Sequence, residues 1–395
     1  MKMRINSNDK LWMIIVVVFL TISSVWAQGN YQLVWEDNFN GNTLNTRENW
    51  TIEVMGDGGN AEYQWYQREN ISVGQEPVSG ENCLIITIKK EKSNGREFTS
   101  GRLKSAGKVR FKYGKIEARI KFPKTANGLW PAFWMMGDDY SKVGWPKSGE
   151  IDILETGNAE GIKNGTQDRF FNGHFHWGES WNNGAYPNWG KAKTNDYSIQ
   201  DGEFHLFSMI WDKNSIKMYL DMDKYPQREP YLEMNIAGKD EPGDVGRYFH
   251  KPYFILFNCA VGGHFTGITG SANYNKITAL NTENNFEAKM YVDYVRVYQK
   301  GDEGEEYHGP ELKTGLIETS TALFKIHPNP TTNHVTIEGS FVPEKISVFN
   351  PAGVKVMEVY DTMIVDMSSL PPANYVLQIE IGTNEVETHK VIKLK

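Results

Sequence analysis

Cysteine is nearly absent from this chain: two residues in 395, Cys83 and Cys259. Each lies in an apolar, strand-like run, Cys83-Leu-Ile-Ile-Thr-Ile and Phe254-Ile-Leu-Phe-Asn-Cys-Ala-Val. That setting favours buried thiols over a bridge, with a single disulfide as the alternative, and neither cysteine has partners for a metal site or a nucleophilic triad. Long hydrophobic runs are as scarce. The one membrane-grade stretch is Leu11 to Leu20, preceded by Lys2 and Arg4 and followed by Val25-Trp26-Ala27. At ~10 residues it falls short of the ~20 that a spanning helix needs, and it reads as a secretory signal peptide over residues 1–27. No Lys/Arg-rich run is present, and 42 basic against 49 acidic side chains leave a formal charge of −7. A nucleic-acid groove, which needs phosphate-neutralising charge, is therefore not expected.

Helical periodicity is missing too, and a period of two takes its place. In Lys115-Ile-Glu-Ala-Arg-Ile-Lys121 apolar and charged residues alternate, the pattern of a strand with one buried and one wet face. Ser215 to Leu220 repeats it, and turn clusters such as Gly56-Asp-Gly-Gly-Asn60 and Asn182-Asn-Gly184 separate the runs. An all-β chain of this length buries its apolar faces most economically by stacking two sheets. After Tyr298 the character changes. Gly301-Asp-Glu-Gly-Glu-Glu306 and a Thr/Ser-rich stretch read as a solvated linker over residues 301–323, with a second small β segment over 324–395.

Aromatic residues are abundant: 12 Trp, 19 Tyr and 19 Phe. Many rings without a basic field suit a neutral ligand with flat faces, such as a sugar ring. The sharpest motif is Ser148-Gly-Glu-Ile-Asp-Ile-Leu-Glu155, in which three carboxylates interleave with apolar residues as in a central strand. Glu150 and Asp152 share a face, but Glu155 is five residues from Glu150, an odd offset that would bury it on the apolar side. A β-bulge around Ile153-Leu154 returns all three to one face. Carboxylates ~5 Å apart cannot all ionise cheaply, so at least one proton should be held; this is the arrangement glycoside hydrolysis needs. The bland alternatives are a solvated acidic face, which fits poorly with Ile and Leu interleaved, and a divalent-cation site, which would bring Gly, Asn and Asp at loop spacing.

These residues resemble the family 16 glycoside hydrolases. Besides the carboxylate strand, the likeness rests on Val34-Trp-Glu-Asp-Asn-Phe-Asn-Gly41, Thr99-Ser-Gly-Arg102, Tyr113-Gly-Lys-Ile-Glu-Ala-Arg119, Gly128-Leu-Trp-Pro-Ala-Phe-Trp-Met135, Ala260-Val-Gly-Gly263 and Val292-Asp-Tyr-Val-Arg-Val-Tyr298. The resemblance implies a curved β-jelly-roll sandwich over residues 28–300 with a glycan cleft on its concave face. By it Glu150 is the nucleophile, Glu155 the acid/base, and Asp152 the residue that tunes the nucleophile. It makes Trp130, Trp134 and Trp145 stacking platforms, although each could equally be core. His176, beside His174, falls at a cleft position, and Asn60, Glu62 and Arg102 match residues that bond sugar hydroxyls. Ala61 stands where laminarinases usually have a second Asn. Members often carry a structural calcium on the convex face, held by Asp293 and backbone carbonyls, but none for catalysis; here Asn38 replaces a usual Glu and Asn82 stands where a Gly often lies. The bulged spacing is similar to that of the laminarinases, which cut β-1,3- or mixed-linkage β-1,3/1,4-glucan, and is shared by agarase-like hydrolases of red-algal galactan; a jelly roll that binds glucan without cutting it is the non-enzymic alternative.

The last segment resembles the type IX secretion sorting domain, through Ile326-His-Pro-Asn-Pro-Thr-Thr-Asn333, Val348-Phe-Asn-Pro-Ala-Gly353, Leu370-Pro-Pro-Ala-Asn-Tyr-Val-Leu377 and the basic end Lys390-Val-Ile-Lys-Leu-Lys395. The expected protein is a secreted or surface-attached monomer whose partners are a polysaccharide and the secretion machinery.

Overall fold

In a computed structural model the described residues are 31–181, 184–238, 244–311, 324–339, 342–343, 345–351, 354–380 and 386–394. The expected signal peptide lies outside them, as does most of the expected linker beyond residue 311. The chain divides into two compact units, 1–312 and 313–395, and both are built from strands. Among the described residues no helix is long and apolar enough to cross a membrane.

The first unit is two stacked sheets with one shared core. The ten-stranded sheet runs Leu232–Asn235, Ser215–Leu220, His205–Trp211, Gly114–Lys121, Glu287–Gln299, Asn82–Lys89, Phe98–Ser100 and Gln64–Tyr66, with Gln32–Asp37 and Ile71–Gln75 pairing off this path. The nine-stranded sheet has at its centre, in order, Asn188–Thr194, Phe170–His176, Glu150–Thr156, Leu129–Gly137, Tyr253–Val261 and Arg102–Lys104. Alternation decides the two faces of that sheet. Phe133, Met135, Ile151, Phe175, Ile255 and Phe257 point inward and are fully buried in the core. Trp130, Trp134, Glu150, Asp152, His176 and Asn258 take the other face. Cys83 and Cys259 are free and buried.

Two expectations change. The strand at Gly114–Lys121 forms, but its charged face is not wet: Lys115 and Glu117 are buried and paired at 2.8 Å. Flanking strands supply covers that the local pattern cannot show. Tyr298 donates its hydroxyl to Glu117 at 2.8 Å with its ring under the Lys115 ammonium, and Glu76 takes Lys121 at 2.9 Å. Secondly, the domain does not close at residue 300. Glu306–His308 adds a strand against Arg110–Lys112, and the ring of Tyr307 packs on the core. The acidic run is a tight reversal rather than a solvated tether: Glu305 accepts from the backbone N–H groups of Lys300, Gly301 and Asp302 at 2.7–3.2 Å.

The second unit is a smaller two-sheet body, of three strands (Phe324–His327, His334–Gly339, Ile364–Asp366) and four (Lys355–Tyr360, Lys345–Phe349, Ala373–Glu380, Val386–Lys393). Its own core holds Phe324, Val335, Ile346, Tyr375 and Leu377.

A chain ended after Lys300 loses the added strand and the half-buried Tyr307 ring, an apolar contribution of about 2 kcal/mol. It should melt roughly 4–8 °C below a chain ended after Leu312. Equal melting temperatures for the two truncations would show that the strand contributes nothing.

Candidate active site

The carboxylate strand solves its parity problem with the expected bulge. Glu150 is paired with Met136 and His176, and Asp152 with Trp134 and His174. The register then slips, and Glu155 is paired with Ala132 and Asn172. Ile153 and Leu154 thus together oppose the single residue Gly173, and both enter the core while Glu155 returns to the cleft. A bulge leaves backbone groups outside the ladder, and a buried carbonyl needs a partner. Tyr231 provides it: its buried hydroxyl donates to the carbonyl of Ile153. Gly173 is required opposite, because a Cβ there would lie 2.9–3.0 Å from Met218, Leu232 and the Tyr231 ring.

Around the three carboxylates the donors are few and specific. Trp130 donates its indole N–H to Glu155 Oε1 at 2.8 Å, its ring backed by Phe265 in a stack at 4.8 Å. Trp145 lies near enough to Glu150 to draw its proton affinity down. His176 Nε2 lies 3.2 Å from Asp152 Oδ2 and 3.9 Å from Glu150 Oε1; the Asp152 contact is close enough for an ion pair but off the N–H axis, so that oxygen has no aligned donor. Burial, then the Asp152 charge, push Glu150 up to about 8, against the pull of His176 and Arg102. Burial raises Asp152 as well. Glu155 is driven well above the usual carboxylate range by burial and by Asp152. Three such groups titrate together, and near neutral pH the site retains protons.

On the side toward the Arg102–Lys104 strand, the expected sugar contacts are themselves tied into the protein. Glu62 is buried and accepts from Gln64 Nε2 at 2.6 Å, Asn60 Nδ2 at 3.2 Å and the Tyr66 hydroxyl at 3.4 Å. Arg102 donates from Nε to Glu53 and lies over the Trp134 ring at 4.9 Å. Burial alone would raise Glu53, but Arg102 and Lys104 outweigh it and hold that carboxyl below its usual range. Trp134 is only 8% exposed, with its N–H on Asn258 Oδ1 at 2.7 Å; it walls the cleft more than it offers an open platform. Asn258 in turn donates to the Tyr66 hydroxyl at 3.1 Å. Glu53, Gln64, Tyr66 and Asn258 had no local pattern to mark them, since they meet only when distant strands pair.

The calcium implied for the convex face does not fit the side chains present. Asp293 is paired with the Arg119 guanidinium, and Asn38 turns its oxygen to the N–H of Asn40 at 3.4 Å. The side chain expected to join backbone carbonyls around that ion is thus already neutralised by arginine, which weakens it as a calcium ligand. Among the described residues the group of three His, Cys, Asp or Glu side chains able to share an ion is Glu150, Asp152 and His176, in the cleft itself.

Residues 60–237 match the family model described as glycosyl hydrolases family 16, and residues 325–394 that of the secretion system C-terminal sorting domain. The chain is 32% identical over 275 residues to a beta-glucanase of Rhodothermus marinus, covering 68% of this chain and 86% of the relative. It is 34% identical to the clotting factor G alpha subunit of Tachypleus tridentatus, across 68% of this chain, and spans only 34% of that protein's length. Among solved structures it is similar to a mixed-linkage-glucan GH16 from Bacteroides ovatus in complex with a G4G4G3G product, at 37% identity and TM-score 0.57, covering 67% of this chain and 99% of that one.

Tyr231→Phe removes the one hydroxyl that satisfies the bulge carbonyl. It should cost about 1–3 kcal/mol in urea unfolding, the penalty for an orphaned buried acceptor. A variant as stable as the parent would mean that the Ile153 carbonyl finds another partner.

Proposed function

Because the chain belongs to glycosyl hydrolases family 16, we propose that it is an exported, monomeric, retaining endo-hydrolase of β-1,3-glucan or mixed-linkage β-1,3/1,4-glucan. The observation that carries the reading is the bulged strand, which sets Glu150, Asp152 and Glu155 on one cleft face with separate donors on each end. Glu150, ionised, attacks the anomeric carbon. Glu155 gives its proton to the glycosidic oxygen, the bond to the aglycone breaks, and an ester to Glu150 forms. Esterification removes the Glu150 charge, so Glu155 holds a proton less tightly and can take one from water. That water attacks the same carbon, the ester breaks, and the β-configuration is retained. Asp152, beside Glu150 on the same face of the strand, steadies the nucleophile between its two states.

A neutral glucan suits the indoles of Trp130 and Trp145 and the chain's lack of a basic field. The names of the relatives support the same substrates, β-glucan for the Rhodothermus protein and mixed-linkage glucan for the Bacteroides one. A galactan hydrolase shares the motif but has less support, and a glucan-binding protein without activity has no need of the three carboxylates. Export runs through the type IX system, to which the C-terminal sorting domain is addressed. Entry to the periplasm would use the signal peptide read over residues 1–27, and the second unit takes no part in turnover.

On a panel of laminarin, barley glucan, lichenan and agarose, the purified chain should release a ladder of oligosaccharides from the glucans, with the β-anomer appearing first by NMR. Glu150→Gln should lower kcat by roughly 10⁴-fold or more. Initial α-product, or agarose cut much faster than any glucan, would overturn the reading.

A further inference from the structure

Tyr186 belongs to none of the strands; it sits on the segment that joins Phe170–His176 to Asn188–Thr194. Its hydroxyl is 3.0 Å from Nδ1 of His176, and its ring stands edge-on to Trp145 at 4.7 Å. The opposite edge of the imidazole, at Nε2, faces Asp152 and Glu150. Beneath it lies His174, stacked at 4.3 Å and 15°. His174 has Nε2 3.1 Å from Asn188 Oδ1, and it can lie flat over the edge strand only because residue 190 is glycine: a Cβ there would be 2.0 Å from its Nδ1. The imidazole of His176 is therefore packed on one face and addressed by a hydroxyl at one nitrogen and by carboxylates at the other.

We propose that Tyr186 is a positioning residue for the hydrolytic site: its hydroxyl donates to Nδ1 of His176 and so fixes the tautomer that carries hydrogen on Nε2, on the side of the ring where Asp152 and Glu150 lie. In the other tautomer a lone pair on Nε2 would confront whichever of the two carboxyls is ionised, and the tyrosine hydroxyl would meet an N–H with only its oxygen to offer. Which ring nitrogen carries hydrogen is set by the bond that the other one makes. Tyr186 is suited to donate, since burial and the nearby Glu150 charge raise its proton affinity and keep it a phenol. His174 adds no competing charge, because burial, then His176, hold it down at about 4. The groups facing His176 are thus Glu150 and Asp152 from the neighbouring strand, with Glu155 past the bulge, His174 from its own strand, and Tyr186 and Trp145 from the loops. This inference rests on the assignment of Glu150 as nucleophile and Glu155 as acid/base.

Tyr186→Phe keeps the ring against Trp145 and removes only the hydroxyl. On barley glucan kcat should fall about tenfold, the worth of one well-made hydrogen bond, with KM within about twofold. The acidic limb of kcat/KM should move to higher pH, because carboxylates that lose a neighbouring N–H dipole hold their protons more tightly. A purely structural loss would lower the melting temperature and leave that limb in place. Nitrogen-15 NMR of the full chain labelled at histidine should find His176 as the Nε2–H tautomer in the wild type, and a mixture in the variant. An Nδ1–H tautomer in the wild type, or an unchanged kcat and pH profile in Tyr186→Phe, overturns the proposal. If the wild type cuts no glucan, the hydrolase reading fails, and the tautomer measurement alone then decides the role of Tyr186.

Discussion

Everything at the site follows from one conflict of parity. A strand sends alternate side chains to opposite faces, yet two glutamates five residues apart must look into the same cleft. Left regular, the strand would turn Glu155 into the apolar core, at a cost of several kcal/mol. One extra residue resolves this by sending Ile153 and Leu154 together into the core. The bulge is stable because the other sheet's side of the core is shaped for it. Tyr231 reaches across to the freed carbonyl, and Gly173 leaves room for Met218, Leu232 and the Tyr231 ring. A local irregularity that places two reacting groups is thus held by residues about 20 and 80 positions away, on the logic that bulges aim side chains and distant packing keeps them aimed.

The same geometry concentrates negative charge where water is scarce, and the walls of the cleft answer it unequally. Glu155 accepts from the neutral donor Trp130; Glu150 and Asp152 face the imidazole of His176, and Glu150 lies in the field of Arg102 as well. The pull of Arg102 favours negative charge on Glu150. Two carboxyl groups of one residue type thus sit in different surroundings, the condition under which one can serve as acid and the other as nucleophile in the proposed reaction.

Much of this could be read in the sequence because it is local. The bulge follows from counting positions between Glu150 and Glu155, and the sandwich follows from period-two runs separated by turns. What could not be read depends on strand pairing. Lys115 and Glu117 look like a wet face until Tyr298 is laid beside them. The run 301–306 looks like a tether until Glu305 is seen to cap its own turn and Tyr307 to reach the core. Trp134 looks like an open platform until Arg102 covers it. Tyr66, Tyr186, Tyr231 and Asn258 carry no signal of their own, since a tyrosine between strands is ordinary until its hydroxyl meets a particular acceptor.

The central claim is that the bulge makes Glu150 the group that bonds to sugar and Glu155 the group that moves the proton. A 2-deoxy-2-fluoro glucosyl donor with a good leaving group slows release of the ester enough for it to be digested and sequenced by mass spectrometry. The account predicts one stoichiometric label, on Glu150. A label on Glu155 or Asp152, or rapid turnover of the activated donor with no trapped ester at any pH, would contradict it.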